Sequence, residues 1–231
     1  MLLAQRREEW VSVRLSGAFR GRFGEALLRG RHSINFLRGE ALYEPGRNDR
    51  LLFFIRSGVV SIGTVGGDGR EIIYDLRKQG DIAGELCALP VSRRDRAVAL
   101  EETLATPIAY TEILDALHQN RAALEELLAA FAGSLASAYE QTERLSTRDV
   151  ACRVARTLQK LAVQLGRDSG DFVEISTYLT QEELSRMAGS SRERVSSVLN
   201  ALRAAGFIAY SRRGHLLLHR RALELTRVEN F

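Results

Sequence analysis

The sequence predicts an α+β chain built from an N-terminal double-stranded β-helix (jelly-roll) barrel, a long dimerisation helix and a C-terminal winged helix-turn-helix. Three observations carry this expectation. Between Ile34 and Ile108, short apolar runs alternate with glycine turns. From Leu124 to Leu145, apolar residues recur at spacings of four and three. From Thr180 to Leu218, two short segments with helix-capping signals precede a hairpin pattern. The expected divisions are residues 1–110 for the barrel and its N-terminal helix, 111–146 for the dimerisation helix and hinge, and 147–231 for the winged module.

The elements follow in chain order. Residues 1–20 read as a short amphipathic helix. The runs Leu51–Ile55, Val59–Ile62 and Ile72–Tyr74 read as strands. They are separated by turns at Ser57-Gly58, Gly66-Gly67-Asp68-Gly69 and Gly80-Asp81. Many short strands with such punctuation suit a sandwich or jelly roll. Near Thr111 the period changes. Leu124, Leu128, Phe131, Leu135, Ala138, Thr142 and Leu145 then trace a coiled-coil seam. Such a stripe can also pack on its own domain, but three heptads without a proline favour self-association. The small Gly133, Ala136 and Ala138 would let partner helices approach closely. A second helix is expected over Thr147–Leu165, with Val150, Val154, Leu158 and Leu161 on its apolar face. Ser146 or Thr147 would cap it and Asp149 would sit in its first turn, which makes Ser146–Asp149 the candidate hinge. Gly166–Gly170 reads as a polar loop and Phe172–Ile175 as a strand.

In the C-terminal module, Thr180 and Glu183 form a capping box for a helix whose apolar face holds Leu184 and Met187. Gly189 supplies a tight turn, and Ser190 or Ser191 caps the next helix. That helix is expected to bury Val195, Val198, Leu199 and Leu202. It would expose Arg192, Glu193, Arg194, Ser196, Ser197 and Asn200. Arginine can donate two hydrogen bonds to guanine and glutamate can accept from cytosine N4, so this face suits base reading. Phe207–Tyr210, the turn Ser211-Arg212-Arg213-Gly214 and His215–Leu218 form a hairpin whose basic tip suits phosphate. A two-helix pair around a glycine is most often ordinary packing. Here caps, turn, exposed Arg-Glu and basic wing occur in one order.

Composition narrows the function classes. Residues 1–146 carry 19 Lys+Arg against 20 Asp+Glu, whereas residues 147–231 carry 14 against 9. A basic C-terminal third beside a neutral body fits a nucleic-acid partner. No apolar run of membrane-spanning length occurs, and the charged Met1–Trp10 does not read as a secretory signal. Cys87 and Cys152 are too few for a disulfide framework or an unaided iron–sulfur cluster, and they fit a reducing cytoplasm. Cys87 in apolar company reads as core, with no histidine near it in sequence to serve a haem. His32, His118, His215 and His219 are scattered, without a His-x-His pair. On a strand, His215 and His219 would stand about 13 Å apart, too far for one metal. Neither a metal site nor an enzyme is expected.

From about Gly39 to Arg220 the chain resembles the cyclic-AMP receptor protein/FNR superfamily of bacterial transcription regulators. The resemblance rests on Gly80-Asp81-Ile82-Ala83-Gly84-Glu85-Leu86, Thr180-Gln181-Glu182-Glu183-Leu184 and Gly189-Ser190-Ser191-Arg192-Glu193-Arg194-Val195. Leu51–Gly58 adds an early strand and turn. The resemblance implies a cytoplasmic homodimer on a near-palindromic double-stranded DNA site, with half-sites roughly 34 Å apart and RNA polymerase as a further partner. The implied DNA-binding residues are Thr180, Gln181, Ser191, Arg192, Glu193, Ser196, Ser197, Arg212 and Arg213. Arg192 and Glu193 would read bases, while Ser197 stands where relatives often have another arginine.

For the sensor, the resemblance implies a cyclic nucleotide (cyclic AMP, cyclic GMP or cyclic di-GMP) at the Gly84-Glu85-Leu86 turn. Gly84 would permit close backbone approach, Glu85 would bond the ribose hydroxyl, and Arg96 followed by Ala97 would meet the phosphate. Three departures accompany it. The interval from Glu85 to Arg96 is one residue longer than the common pattern, and Ala97 replaces a hydroxyl residue. Ala138 and Tyr139 stand where the cyclic-AMP receptor itself offers Thr and Ser to the base. Arg93, Arg94 and Arg96 in one loop also suit a more highly charged ligand. Two alternatives stay open. One is a vestigial pocket in which Glu85 and Arg96 form a structural ion pair, and the other is a dimeric ligand sensor acting through protein contacts. The implied mechanism is a two-state shift set by ligand bound between barrel and long helix.

Overall fold

A computed structural model describes residues 21–67, 69–145 and 149–225, so the helix expected over residues 1–20 lies outside the described residues. The chain divides into two compact units. The first takes in the described residues to Val65 with Tyr74–Thr142, and the second takes in Gly66–Ile73 with the described residues from Glu143 onward.

The first unit is the expected jelly roll. Strands β1 (Ile34–Phe36), β2 (Ala41–Tyr43), β3 (Leu51–Ser57), β4 (Val59–Val65), β5 (Glu71–Lys78, counted in this unit from Tyr74), β6 (Ile82–Ala83), β7 (Arg96–Ala99) and β8 (Thr103–Ala109) form two four-stranded sheets. Their orders are β1-β8-β3-β6 and β2-β7-β4-β5. The longest ladder pairs β3 with β8 antiparallel, from Leu51 opposite Ala109 to Ser57 opposite Leu104. The alternation of side chains along these strands buries Phe53, Ile55, Val60, Ile62, Ala97 and Ala105 together inside the barrel. A second cluster lies against helices α1 (Gly21–Leu28), α2 (Tyr110–His118) and α3 (Arg121–Leu145), and it holds Leu52, Ile82, Cys87, Ile108, Ile113 and Leu117. Cys87 is buried in this cluster, as its apolar neighbours in sequence predict.

The helical segment after the barrel is two helices rather than one. The break falls at Gln119–Asn120, where the Asn120 side chain accepts from the Ala123 amide at 3.0 Å and restarts the helix. Along α3, Leu124, Leu128, Phe131 and Leu135 of the expected seam stand exposed in the single chain.

The second unit contains α4 (Val150–Leu165), β9 (Gly166–Ser169), β10 (Phe172–Ile175), α5 (Gln181–Ala188), α6 (Arg192–Ala204), β11 (Ile208–Tyr210), β12 (Leu216–His219) and α7 (Arg220–Leu225). The sheet runs β11-β12-β10-β9, with adjacent strands antiparallel. Two expectations are corrected. Asp149 is itself the N-cap of α4, accepting from the Ala151 amide at 2.9 Å, rather than a first-turn residue behind a serine or threonine cap. The segment read as a loop after α4 is strand β9, because a tight turn at Gly170 brings it into register with β10. Among the described residues no helix is long and apolar enough to cross a membrane.

Ile82 is fully buried where the two barrel clusters meet. Ile82→Ala is expected to cost about 2–5 kcal/mol in urea unfolding, the range for a cavity in a packed core.

Candidate functional site

The winged module is assembled by local signals. Thr180 accepts from the Glu183 amide at 3.1 Å while the Glu183 carboxylate accepts from the Thr180 amide at 2.6 Å, completing the capping box. Helix α5 ends at Gly189, which is left-handed (φ 58°, ψ 44°), a conformation a side chain would resist. The amides of Gly189 and Ser190 both donate to the Ser185 carbonyl. Two residues later Ser191 caps α6. Val195 and Leu199 are buried, with Val198 and Leu202 half-buried behind them. Arg192, Glu193, Arg194, Ser197 and Asn200 are exposed on α6, and Ser196 is half-buried. Gln181 and Thr180 are half-buried at the start of α5.

The hairpin β11–β12 is closed by the Ser211 amide on the His215 carbonyl and the Gly214 amide on the Ser211 carbonyl, with Arg212 and Arg213 exposed at its tip. His215 Nδ1 lies 2.9 Å from Glu174 Oε1, and the His219 ring packs edge-on against Phe172. Tyr178 is a neighbour the sequence reading missed. Its ring carbons lie 3.3 Å from where a Cβ on Gly214 would stand, so the segment before α5 packs against the wing.

In the barrel, the turn after β6 is set by Gly84, at φ 95°. An added Cβ there would meet the Leu51 carbonyl at 3.0 Å and the Arg93 guanidinium at 3.1 Å. Glu85 pairs with Arg77 at 2.7 Å, and Arg77 also pairs with Asp75. Arg96 pairs with Glu44 at 2.8 Å. The partners thus differ from the Glu85–Arg96 ion pair considered for a vestigial pocket. Ala97 is completely buried in the barrel wall, packed in the inner cluster. Leu86, Arg94 and Tyr139 are exposed.

Arg93, expected only as part of a basic loop, gathers beside the Gly84 turn with three polar side chains that were not expected there, Asp49, Tyr43 and Asp95. Arg93 is almost fully buried, donating to Asp49 at 2.6 Å and to the carbonyls of Gly84 and Leu51, with its guanidinium 4.1 Å from the Tyr43 ring centre. Tyr43 donates to Asp95 at 2.8 Å. These residues come from three separate segments, and only the Arg93–Arg96 charge run hinted at them.

Burial is the main force pushing the Tyr43 phenol well above its ordinary value, with the charges of Asp95 and Glu85 adding to it. Burial opposes the charge on Arg77, but Glu85 and Asp75 more than offset this and hold it protonated. Burial also raises the Asp95 carboxyl, against the lowering effect of the Tyr43 hydrogen bond. Glu85 Oε2 and Asp95 Oδ1 are buried without a hydrogen-bond partner. A raised folded-state value means that the folded state favours neutral Asp95. Its contribution to stability therefore falls as pH rises from the ordinary aspartate value through the folded one. Asp95→Asn, which resembles the protonated acid, is expected to flatten the loss of melting temperature as pH rises above the ordinary aspartate value of about 4.

Comparison with known proteins matches the geometry of both units. The cyclic nucleotide-binding domain family matches residues 33–120, and the Crp-like helix-turn-helix domain family matches residues 152–226. The chain is 30% identical over 184 residues to a CRP-like cAMP-activated global transcriptional regulator of Mycobacterium tuberculosis, covering 79% of this chain and 82% of that one. It is also 30% identical over 190 residues to the cAMP-activated global transcriptional regulator Vfr of Pseudomonas aeruginosa, covering 80% and 88%. Among solved structures, a CRP-family transcriptional regulator from Thermus thermophilus superposes with a TM-score of 0.69 at 27% identity, covering 84% of this chain and 95% of that one. The c-di-GMP-responsive regulator CLP of Xanthomonas campestris shares the fold at a TM-score of 0.70 and 23% identity, covering 85% and 98%. With a sensor barrel, a capped helix-turn-helix and a basic wing all in place, the chain belongs to the cyclic-AMP receptor protein/FNR superfamily of DNA-binding transcription regulators.

Proposed function

We propose that this regulator works as a cytoplasmic homodimer whose operator binding is controlled by a cyclic-nucleotide-type ligand at the Gly84–Glu85 turn. The observation that carries the ligand reading is Glu85 Oε2, a buried acceptor without a partner beside a turn that only glycine opens. Leaving such an atom unpaired is costly, and a ligand hydroxyl would satisfy it. Arg96, now on half-exposed Glu44, would exchange one anionic partner for a phosphate. The cyclic nucleotide-binding family match and the cAMP-activated relatives point the same way.

On the DNA side, Arg192 and Glu193 would read base edges. Thr180, Gln181, Ser191, Ser196, Ser197, Arg212 and Arg213 would contact the backbone or the groove walls. The exposed stripe on α3 would be covered by the same stripe of a second copy, and RNA polymerase would be the downstream partner. A second reading has a specific observation behind it. Three guanidinium groups of the barrel already hold carboxylates, with Arg77 on Glu85 and Asp75, Arg93 on Asp49, and Arg96 on Glu44. That pairing suits a pocket closed without any ligand.

The test is enrichment from random duplexes at fixed salt, with and without cyclic AMP, cyclic GMP or cyclic di-GMP. A two-fold-symmetric site enriched only with one nucleotide, and lost in Glu85→Gln, is expected. Enrichment without any nucleotide selects the closed pocket. No enrichment by a folded dimer selects a sensor that works through protein contacts. The dimer reading has its own measurement: the double variant Leu128→Glu, Leu135→Glu should sediment as a monomer and lose tight operator binding.

A further inference from the structure

The helix-turn-helix turn is held by a side chain outside it. Arg153, half-buried on α4, donates from Nε to the Ala188 carbonyl at 3.1 Å and from Nη2 to the Gly189 carbonyl at 3.4 Å. These carbonyls belong to the last residue of α5 and to its left-handed cap. Carbonyls at a helix end have no partner within the helix, and a cation is favoured there by the helix dipole. With respect to its own helix Arg153 is badly placed. It is the fourth residue of α4, near the end where a positive charge is disfavoured. Its position makes electrostatic sense through α5.

The backbone of Arg153 leads the other way. Its amide donates to the carbonyl of Asp149, the N-cap at the start of α4, at 3.2 Å. One residue thus links the beginning of α4 to the turn, and the turn reaches Ser191, the cap of α6, two residues after Gly189. The fork geometry of a guanidinium suits two neighbouring carbonyls, which a single ammonium serves less well.

We propose that Arg153 is the positioning residue of the DNA-reading module: it fixes the recognition helix α6 to the start of α4, so that α6 follows any reorientation of α4 at that end. This rests on the assignment of α6 as the base-reading helix. Arg153 touches the turn and not the base edges, so its loss is felt as poorer discrimination between sequences rather than as weaker binding to DNA in general.

The experiment uses the full-length protein and the site enriched from random duplexes. Affinity for that site and for an unrelated duplex is measured at one salt concentration, and far-UV circular dichroism confirms folding. Arg153→Met is expected to lower the ratio of the two affinities on the order of tenfold, the scale of one misplaced base contact, with the unrelated duplex unaffected. Arg153→Lys should fall between Arg153→Met and wild type. Arg156→Met, which removes the same charge from the same helix, should match wild type. An unchanged ratio in folded Arg153→Met overturns the proposal. So does an equal loss on both duplexes, which would make Arg153 a phosphate contact. If Arg153→Met does not fold, Arg153→Lys decides, and an undiminished ratio there overturns the proposal. Arg192→Ala separates the two layers of the reading. If it keeps the ratio, the assignment of α6 falls and the proposal with it; if it loses the ratio while Arg153→Met does not, only the proposal falls.

Discussion

A charged group inside a protein must bring its partners with it, and the sensor end of the barrel is arranged around that requirement at Arg93. Its guanidinium is almost fully buried and is satisfied by a carboxylate, two backbone carbonyls and the face of an aromatic ring. Those partners lie on the segment before β3, at the start of β3, at the turn after β6 and on β2. Arg93 therefore joins parts of the chain that neighbour one another only after folding. The Gly84 turn owes its position to this arrangement, because the space a side chain would need there is filled by the guanidinium and the Leu51 carbonyl. Glu85, the next residue, is thereby held beside Arg77, with one oxygen paired and the other left over. The leftover oxygen is a product of the packing.

The two units solve the problem of polar groups in different ways. The barrel buries whole side-chain charges and balances them with others, which makes its interior sensitive to anything that changes the balance. The winged unit buries little charge and instead closes helix ends: Asp149, Thr180, Ser191 and Gly189 each settle backbone groups at a terminus. Such closures are local and directional. They fix angles between short helices, which is what a surface that must match a groove needs.

This difference explains which parts were legible in the sequence. The capping box at Thr180, the turn at Gly189 and the basic-tipped hairpin could be read directly, because each depends on residues within a few positions of one another. The jelly roll was legible as a class from its glycine-punctuated runs. The partner of Glu85 was not, since Arg77 reaches it from the end of β5 across the Gly80 turn and β6, a fold-back that no local pattern signals, and the resemblance pointed to Arg96 instead. The Asp149 cap was missed because Ser146 and Thr147 offer equally good cap chemistry two or three residues earlier. Strand β9 was missed because Gly166–Gly170 is polar throughout, and an edge strand that is exposed along its length carries no alternation to detect.

The exposed stripe on α3 makes the amount of regulator a variable in its own right. If apolar surface of this kind is covered only when two chains meet, the form that spans both half-sites is second order in the chain. Below the dissociation constant of the pair, its abundance rises with the square of concentration, so halving expression would reduce operator occupancy by about fourfold at most. A cell could grade or silence the response by changing synthesis alone, without altering the level of any effector.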